Sequence, residues 1–348
     1  MKILCVGHEW RGSDANGLFY ALARQGVITN TINEHRYIST GVANLFLKIL
    51  HRLIRPLQVK SFNKEIIEQF NTFQPNIVLI YKGAFFHKNT MDYIHSFKIP
   101  VVVFFPDVSL FAHGNNIPQC IPHYDYIFTT KSFGFEDLKT KFNYPLEKVT
   151  FIPHGFDPQI HRPLNPIDNF KNDVSFIGNF SPHKAKVLET IVRRLPKINM
   201  KIWGGTWGRY NGELLKPYIV GNGIMGDAYS AAINSSKINL AILSEKVKGA
   251  SSGDLITSRT FHITGAGGFM LHQHTLEVEK YYKEGEECEF YRSDNELIEK
   301  IDYYLNNEAE RLKIAKKGYI RAVSQYSQDV RAKEVIEILN SKFENLSI

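Results

Sequence analysis

Short apolar runs alternate with amphipathic stretches along the first half of the chain. Five runs of successive apolar residues predict strands that are buried on both faces of a sheet. These runs lie at 2–7, 77–81, 101–105, 126–129 and 149–153. Apolar residues at helical spacing follow or precede them at 17–25, 62–73, 90–97 and 135–141. The alternation predicts a parallel, doubly wound α/β domain over residues 1–160.

The same alternation returns after a group of prolines between residues 153 and 166, so 154–170 is predicted to be a linker. Predicted strands follow at 174–178, 200–203, 238–242 and 269–271. Predicted helices lie at 184–195, 228–235, 295–305 and 308–319, with another near Ser258. A second Rossmann-like domain is therefore expected at 161–325, and a last helix with an apolar stripe is expected at 326–343.

Composition narrows the class of protein. Hydrophobic residues make up 43% and charged residues 22% of the 348 residues, which excludes a disordered chain. No apolar run approaches the roughly 20 residues of a membrane span, and the first residues do not resemble a signal peptide. The three cysteines are far apart, which argues against a disulfide framework or a cysteine zinc site. A cytoplasmic protein is expected.

The formal charge of +7 favours an anionic partner. Basic residues are spread along the chain rather than grouped with aromatics, so nucleic acid is not expected and a phosphorylated small molecule is. Only residues 42–60 concentrate basic residues, on a predicted amphipathic helix. Its apolar face either packs on the first domain or contacts a membrane or lipid acceptor, at the inner face of the membrane.

Ligands of open α/β sheets bind beyond the carboxyl ends of the strands. In the second domain this rule indicates Gly178, Asn179, Trp203 and Gly204 as donor-binding residues, with Trp203 either stacking on a base or packing in the core. A diphosphate also needs cations and helix N-terminal N–H groups. We predict that Ser258 and Thr260 cap a helix, while Arg259 and Lys184 bind phosphate without magnesium.

Several motifs resemble one family. They are Phe105–Asp107, Tyr124–Thr130, Ile152–Pro158, Asp173–Gly178, Ser258–Phe261 and Gly267–Phe269. Over about residues 100–325 the chain resembles the CgeB-like glycosyltransferases of the GT-B class. The resemblance implies two tandem Rossmann-like domains facing a cleft, an acceptor domain at 1–160 and a donor domain at 161–325. It also implies that the C-terminal helix, 326–348, crosses back to the first domain.

The same resemblance implies the substrates and some site residues. The donor is expected to be a UDP-, GDP- or dTDP-sugar, with no cofactor and no metal ion. Asp254 and His262 match a Glu-x7-Glu motif of retaining enzymes, in which the first residue lies by the donor sugar and the second holds the ribose. Gly267 and Gly268 match the turn that follows this motif.

Other loop residues complete the predicted site. Asp107 and His154 are candidate catalytic residues, and His8, Glu9 and Asp14 are candidates on the acceptor side. If the reaction inverts the anomeric centre, then Asp107, Asp14 or Glu9 is a candidate base.

We therefore predict a retaining, metal-independent glycosyltransferase acting on a glycan, lipid-linked or protein acceptor. A non-catalytic GT-B binding or structural protein is one alternative. It is favoured because Asp254 and His262 stand where the motif has two glutamates. A GT-B sugar epimerase or phosphorylase is the other.

Overall fold

Two parallel β-sheets form the framework of the protein. The computed structural model describes residues 1–38, 45–221 and 223–343, with the side chains of 45–51 left aside. Unit 1 comprises Met1–Pro153, Lys246–Ser252 and the chain from Arg331 on. Unit 2 comprises His154–Glu245 and Gly253–Val330. The two α/β units each contain one sheet, as expected for the predicted fold class.

The sheet of unit 1 has six parallel strands in the order β2-β1-β3-β4-β5-β6. They are β1 (Lys2–Gly7), β2 (Ile28–Asn33), β3 (Ile77–Tyr81), β4 (Val101–Phe105), β5 (Tyr126–Thr129) and β6 (Val149–Phe151). The helices are α1 (Asp14–Arg24), α2 (Leu45–Phe73), α3 (Lys88–His95), α4 (Asn116–Cys120) and α5 (Gly134–Phe142). Strand β2 and helix α4 are additions to the predicted elements.

Alternate residues of β1, β3, β4 and β5 enter different cores of unit 1. Leu4 and Val6 pack in the core that includes residues of α2 and α3. Ile3 and Cys5 face the opposite side of the sheet and pack with residues of α1. Because successive side chains of a strand point to opposite faces, an uninterrupted apolar run has a core on each side. This explains why the strands are apolar throughout.

Unit 2 has five parallel strands in the order β11-β10-β9-β7-β8. They are β7 (Asn172–Ile177), β8 (Met200–Trp203), β9 (Ser236–Ala241), β10 (Met270–Gln273) and β11 (Glu289–Tyr291). The helices are α6 (Pro182–Arg194), α7 (Asp227–Asn234), α8 (Ser258–Gly265), α9 (Asp294–Asn306) and α10 (Glu308–Gln325). The short strand β11 was not among the predicted elements.

The last helix, α11 (Gln328–Lys342), begins in unit 2 and continues into unit 1. Its residues Ala332, Val335 and Leu339 are buried in the unit 1 core that also contains Ile3 and Leu22. The apolar stripe seen in the sequence therefore covers a surface of unit 1.

The predicted linker at 154–170 is wrong, because this segment is part of unit 2. Phe156 is 1% exposed and its backbone N–H donates to the carbonyl oxygen of Tyr326 at 3.1 Å. Ile160 is buried as well. The prolines thus shape a packed segment rather than a solvated connection.

Part of the basic stretch at 42–60 lies outside the described residues, namely 42–44 and the side chains up to residue 51. The remainder continues within α2 to Phe73. Val59 is buried in the unit 1 core, whereas Leu53 and Leu57 are 71% and 67% exposed. Among the described residues, none of the helices is both long and apolar enough to cross a bilayer.

Candidate functional site

Two glycines bring the backbones of neighbouring strands together at the carboxyl edge of the unit 2 sheet. Gly178 follows β7 and Gly204 follows β8, and the N–H of Gly178 donates to the Trp203 carbonyl oxygen at 2.8 Å. A Cβ atom on Gly204 would lie 2.1 Å from the carbonyl oxygen of Gly178. A Cβ atom on Gly178 would lie 2.8 Å from Nη1 of Arg259. Gly204 therefore requires glycine because a side chain there would clash with backbone, and the Arg259 guanidinium lies beside Gly178.

Arg259 projects from the first turn of α8. Its Nη2 donates to the carbonyl oxygen of Ile242 at 2.8 Å, and its guanidinium lies 5.3 Å from the centre of the Phe176 ring. Its Nε atom is buried and has no hydrogen-bond partner in the part of the chain that the structure describes. Burial lowers the pKa of Arg259. The guanidinium is thus held in place, and its Nε–H could still donate a hydrogen bond to a ligand.

Lys184 is a second cation in the same region. It lies on α6, is only 6% exposed, and its Nζ donates to Oγ of Ser244 at 3.0 Å. Burial and the charge of Arg259 lower the pKa of Lys184 to about 8, although Asp254 and Glu245 act in the opposite direction. We call Lys184 and Arg259 the cation pair. Each disfavours the charge of the other, as expected for a site that receives an anion.

The start of α8 differs from the prediction that Ser258 and Thr260 cap it. Thr257 is the N-cap, and its Oγ1 accepts a hydrogen bond from the N–H of Arg259 at 3.0 Å. Thr260 completes the capping box, since its Oγ1 accepts from the N–H of Thr257 at 3.0 Å. The same oxygen lies 2.8 Å from Nε2 of His272. Thr260 is fully buried, so its hydroxyl stabilises the start of the helix and does not contact a sugar donor.

Asp254 and His262 have different surroundings. The backbone N–H of Asp254 donates to the Ser244 carbonyl oxygen at 2.9 Å, and its charge raises the pKa of both members of the cation pair. His262 lies one helical turn after Arg259 and stacks on His161 at 3.9 Å between ring centres. The ring of Tyr229 meets His262 edge-on at 5.8 Å. Both predicted residues therefore lie on elements adjoining the cation pair.

Gly267 and Gly268 are not brought to this group, in contrast with the prediction. They precede β10, at the amino end of a strand, whereas the cation pair adjoins the carboxyl edge of the sheet. A Cβ atom on Gly268 would lie 2.4 Å from Cγ2 of Ile233, and Gly267 has φ +83°. Close packing and a left-handed turn require these glycines.

The remaining donor-side candidates in unit 2 fall into two kinds. Trp203 is 2% exposed and packs edge-on against Phe170 at 5.9 Å, so it belongs to the interior rather than to a base-stacking platform. His154 is also buried. Ser258 is half-buried and Asn179 is exposed at the carboxyl end of β7.

In unit 1, Asp107 follows β4 and forms two ion pairs. Its Oδ2 lies 2.9 Å from Nζ of Lys82 and 2.9 Å from Nε2 of His113. Burial raises the pKa of Asp107, but hydrogen bonds and charge from His113 and Lys82 outweigh it and hold the pKa well below the ordinary range. A carboxylate stabilised in this way is a poor general base. We call these three residues the Asp107 triad.

The other acceptor-side candidates adjoin β1. Nδ1 of His8 lies 2.8 Å from Oε1 of Glu34, which is buried. Glu9 is half-buried, and Asp14 opens α1 behind the N-cap Ser13. Sequence reasoning did not assign Glu34 or His161 to the site, although His161 belongs to a segment, His161–Pro163, that resembles the same family; no signal in the sequence indicated Glu34.

Comparisons with known proteins agree with the two-unit fold. Residues 183–337 match the model of a glycosyl transferase-like family. A sucrose-phosphate synthase from Thermosynechococcus elongatus is 12% identical, with a TM-score of 0.67 over 99% of this chain and 100% of that one. The Anabaena protein HepE, solved in complex with UDP-glucose, is 12% identical with a TM-score of 0.67, over 98% and 100% of the two chains.

A UDP-N-acetylglucosamine 2-epimerase shares the fold at 12% identity, with a TM-score of 0.54 over 99% of this chain and 97% of that one. A search of curated proteins finds no significant match.

The structural matches therefore show the GT-B fold over the whole chain, and residues 183–337 are similar to a glycosyl transferase-like family. The family match spans α6 and α8 and so includes both members of the cation pair.

Proposed function

We propose that the chain transfers a sugar from a nucleoside diphosphate sugar, held by unit 2, to an acceptor bound by unit 1. The observation that carries the proposal is the cation pair beside the backbone at Gly178 and Gly204. A diphosphate matches two cations that repel each other, and the missing side chains at the glycines allow a phosphate to approach the backbone. The UDP-glucose bound by HepE supports a UDP-sugar as the first donor to test, with GDP- and dTDP-sugars next.

The cation pair suits the chemistry of the transfer. Negative charge develops on the diphosphate as its bond to the sugar breaks. Lys184 and Arg259, already positioned and partly desolvated, stabilise that charge without reorganising at the moment of reaction. The proposed reaction therefore proceeds without a divalent metal on the donor, and no cofactor takes part in it.

Asp254 and His262 are assigned to the donor in the retaining reaction, following the CgeB-like resemblance. The assignment of Asp254 to the donor sugar is supported by its charge, which acts on both cations. The assignment of His262 to the ribose is supported by its position one helical turn from Arg259 and by its stacking on His161.

A variant pair tests these roles. Asp254→Asn is expected to lower kcat by at least about tenfold with little change in nucleotide affinity, because it acts on the sugar. His262→Ala is expected to weaken nucleotide binding instead. His274→Ala, elsewhere in unit 2, is the control. Steady-state kinetics with nucleotide titrations measure both effects, and kinetics unchanged in both variants would remove the assignment.

The acceptor is a glycan, a lipid-linked sugar or a protein, with His8, Glu9 and Asp14 on its side. A lipid-linked acceptor is supported by the surface of α2, where exposed Leu53 and Leu57 adjoin Arg52 and Arg55. Apolar side chains beside cations suit peripheral contact with an anionic membrane at its cytoplasmic face.

Calorimetry with UDP, GDP and dTDP, each compared with its nucleoside, tests the donor proposal. The matching diphosphate should bind at least about tenfold tighter than its nucleoside, since charge-assisted bonds contribute about 1.5–3 kcal/mol each. Binding and donor hydrolysis should persist in EDTA. Equal affinity for diphosphate and nucleoside would contradict the proposal, as would activity that depends on added magnesium or manganese.

The epimerase alternative is favoured by one observation, the fold shared with UDP-N-acetylglucosamine 2-epimerase. Proton NMR of a donor incubated without acceptor distinguishes the two activities. A transferase leaves the donor sugar unchanged or hydrolyses it slowly, whereas an epimerase produces a second sugar configuration. With acceptor present, an inverted anomeric centre in the first product would remove the retaining assignment.

A further inference from the structure

Three potential metal ligands lie together in unit 1 where its first two strands end. His8 follows β1, and Glu34 and His35 follow β2. These strands pair in parallel, with Gly7 opposite Asn33. The residue that follows each strand, His8 after β1 and Glu34 after β2, is therefore a neighbour of the other. We call His8, Glu34 and His35 the histidine–glutamate cluster.

The distances within the cluster suit a small cation. One ligand atom from each residue lies within 4.8 Å of the other two, and Nδ1 of His8 lies 2.8 Å from Oε1 of Glu34. The two imidazole rings stack at 4.9 Å between centres. Zinc–nitrogen and zinc–oxygen bonds of about 2.0–2.2 Å place tetrahedral ligand atoms roughly 3.4 Å apart. Both imidazoles are half-buried, and we expect them to adjust to that spacing when an ion binds.

Local hydrogen bonds hold the backbone of these residues. The side-chain Oδ1 of Asn33 accepts from the N–H of His35 at 3.0 Å. The Glu34 carbonyl oxygen accepts from the N–H of Ile38 at 2.9 Å, and the His8 carbonyl oxygen accepts from Oγ of Ser13 at 3.3 Å. The cluster is therefore built on a hydrogen-bonded backbone.

The electrostatics of the cluster favour a bound cation. The Glu34 residue is only 4% exposed, and a buried carboxylate requires a positive partner. Nδ1 of His8 is buried without a hydrogen bond among the described residues, although a carboxylate oxygen is 2.8 Å away.

We propose that His8, Glu34 and His35 bind one Zn²⁺ ion, with water at the fourth position. Two imidazoles and one carboxylate are a ligand set that zinc prefers, and the partly exposed histidines leave one side open. The site lies in unit 1, apart from the cation pair of unit 2. It therefore goes beyond the proposed donor chemistry, which uses no metal.

Zinc titration of tag-free, metal-stripped protein against a chromophoric competitor tests the proposal. Wild type should bind one equivalent, and His35→Ala or Glu34→Gln should each lower the affinity by at least about tenfold. The control is His95→Ala, which breaks a histidine–carboxylate pair with Asp125 at 2.9 Å in the same unit. That variant should bind zinc like wild type.

Two further measurements separate metal binding from folding and from transferase activity. Zinc should raise the Tm of wild type and of His95→Ala but not of the cluster variants. Cobalt bound to wild type should show the visible absorption of a tetrahedral site, which does not depend on any variant folding. Absence of the cobalt spectrum would overturn the proposal, as would cluster variants that bind zinc like wild type. Neither readout uses a sugar donor, so failure here is distinct from failure of the proposed function.

Discussion

The carboxyl edges of the two sheets carry charge in opposite arrangements. In unit 1, the carboxylate of Asp107 lies 2.9 Å from both Nζ of Lys82 and Nε2 of His113. In unit 2, burial and the charge of Arg259 together lower the pKa of Lys184 to about 8, and the charges of Asp254 and Glu245 do not outweigh them. One edge has completed its ion pairs and the other has not.

This difference indicates which edge gains more from a polyanion. A diphosphate arriving at the Asp107 triad would compete with a carboxylate that already pairs with Lys82 and His113. At the cation pair it would relieve repulsion and restore full protonation of Lys184. The positive charge that is left uncompensated at the cation pair, rather than the number of basic residues, therefore distinguishes the carboxyl edge of the unit 2 sheet as the proposed donor site.

The largest expected effect comes from removing the cation pair. Arg259→Ala and Lys184→Ala should each weaken binding of the nucleoside diphosphate by about tenfold to a hundredfold and leave nucleoside binding nearly unchanged. Lys186→Ala, on the exposed side of α6, is the matched control for Lys184→Ala. Calorimetry with both ligands measures the effect. A loss shared equally by diphosphate and nucleoside would mean that these residues do not bind phosphate.

Most of the sheet framework follows from the sequence. The bounds of β1, β3, β4, β5 and β8 agree with the predicted runs, because a strand buried on both faces is apolar at successive positions. Strand β2 was missed because its sequence, ITNTIN, mixes polar residues into an edge strand with only one buried position. Missing β2 also hid Glu34 and His35, which have no distinctive pattern without it.

The positions of residues at the carboxyl edge of the unit 2 sheet were predictable to a similar degree. Gly178, Gly204 and Lys184 lie in the loops or the helix that follow strands, as predicted, and their binding of a donor stays a prediction. Arg259 was found from its position before a helix, but the cap was misassigned because several neighbouring hydroxyl residues are equally good caps. The choice of Thr257 depends on backbone geometry that local sequence does not determine. Gly267 and Gly268 were misplaced because a glycine pair at the amino end of a strand resembles one in a binding loop.

A smaller effect is expected from pH. The pKa of Lys184 is about 8 in the folded chain, against 10.5 when unperturbed, so the unfolded chain binds more protons between these values. The free energy of unfolding should therefore rise with pH across this window, because the buried charge disfavours folding below it. A bound diphosphate raises the Lys184 pKa again, so diphosphate affinity should fall above pH 8.

Calorimetry in buffers of different ionisation enthalpy measures the proton taken up on binding. Wild type should take up a fraction of a proton above pH 8, and Lys184→Met should take up less. Lys184→Met should also unfold with a free energy equal to or above that of wild type at pH 7, since it removes the repulsion with Arg259. Proton uptake that is unchanged in Lys184→Met would assign the titration to another group.

The smallest effect is expected from the edge whose charges are already paired. Asp107→Asn should lower the free energy of unfolding at pH 7 by about 0.5–1 kcal/mol, as is typical of partly exposed ion pairs. Because the folded-state pKa of Asp107 is lowered, its contribution is present at neutral pH and is lost as the pH falls below the ordinary carboxyl range. Urea unfolding of both proteins at pH 7 and in acid should therefore show a difference that shrinks in acid.

Nucleotide affinity of Asp107→Asn should stay at the wild-type value, since the triad belongs to unit 1 and the proposed donor site to unit 2. A loss of diphosphate affinity as large as that of Arg259→Ala would instead show that phosphate binding is not confined to the unit 2 edge. The contrast between paired and repelling charges would then no longer identify the donor site.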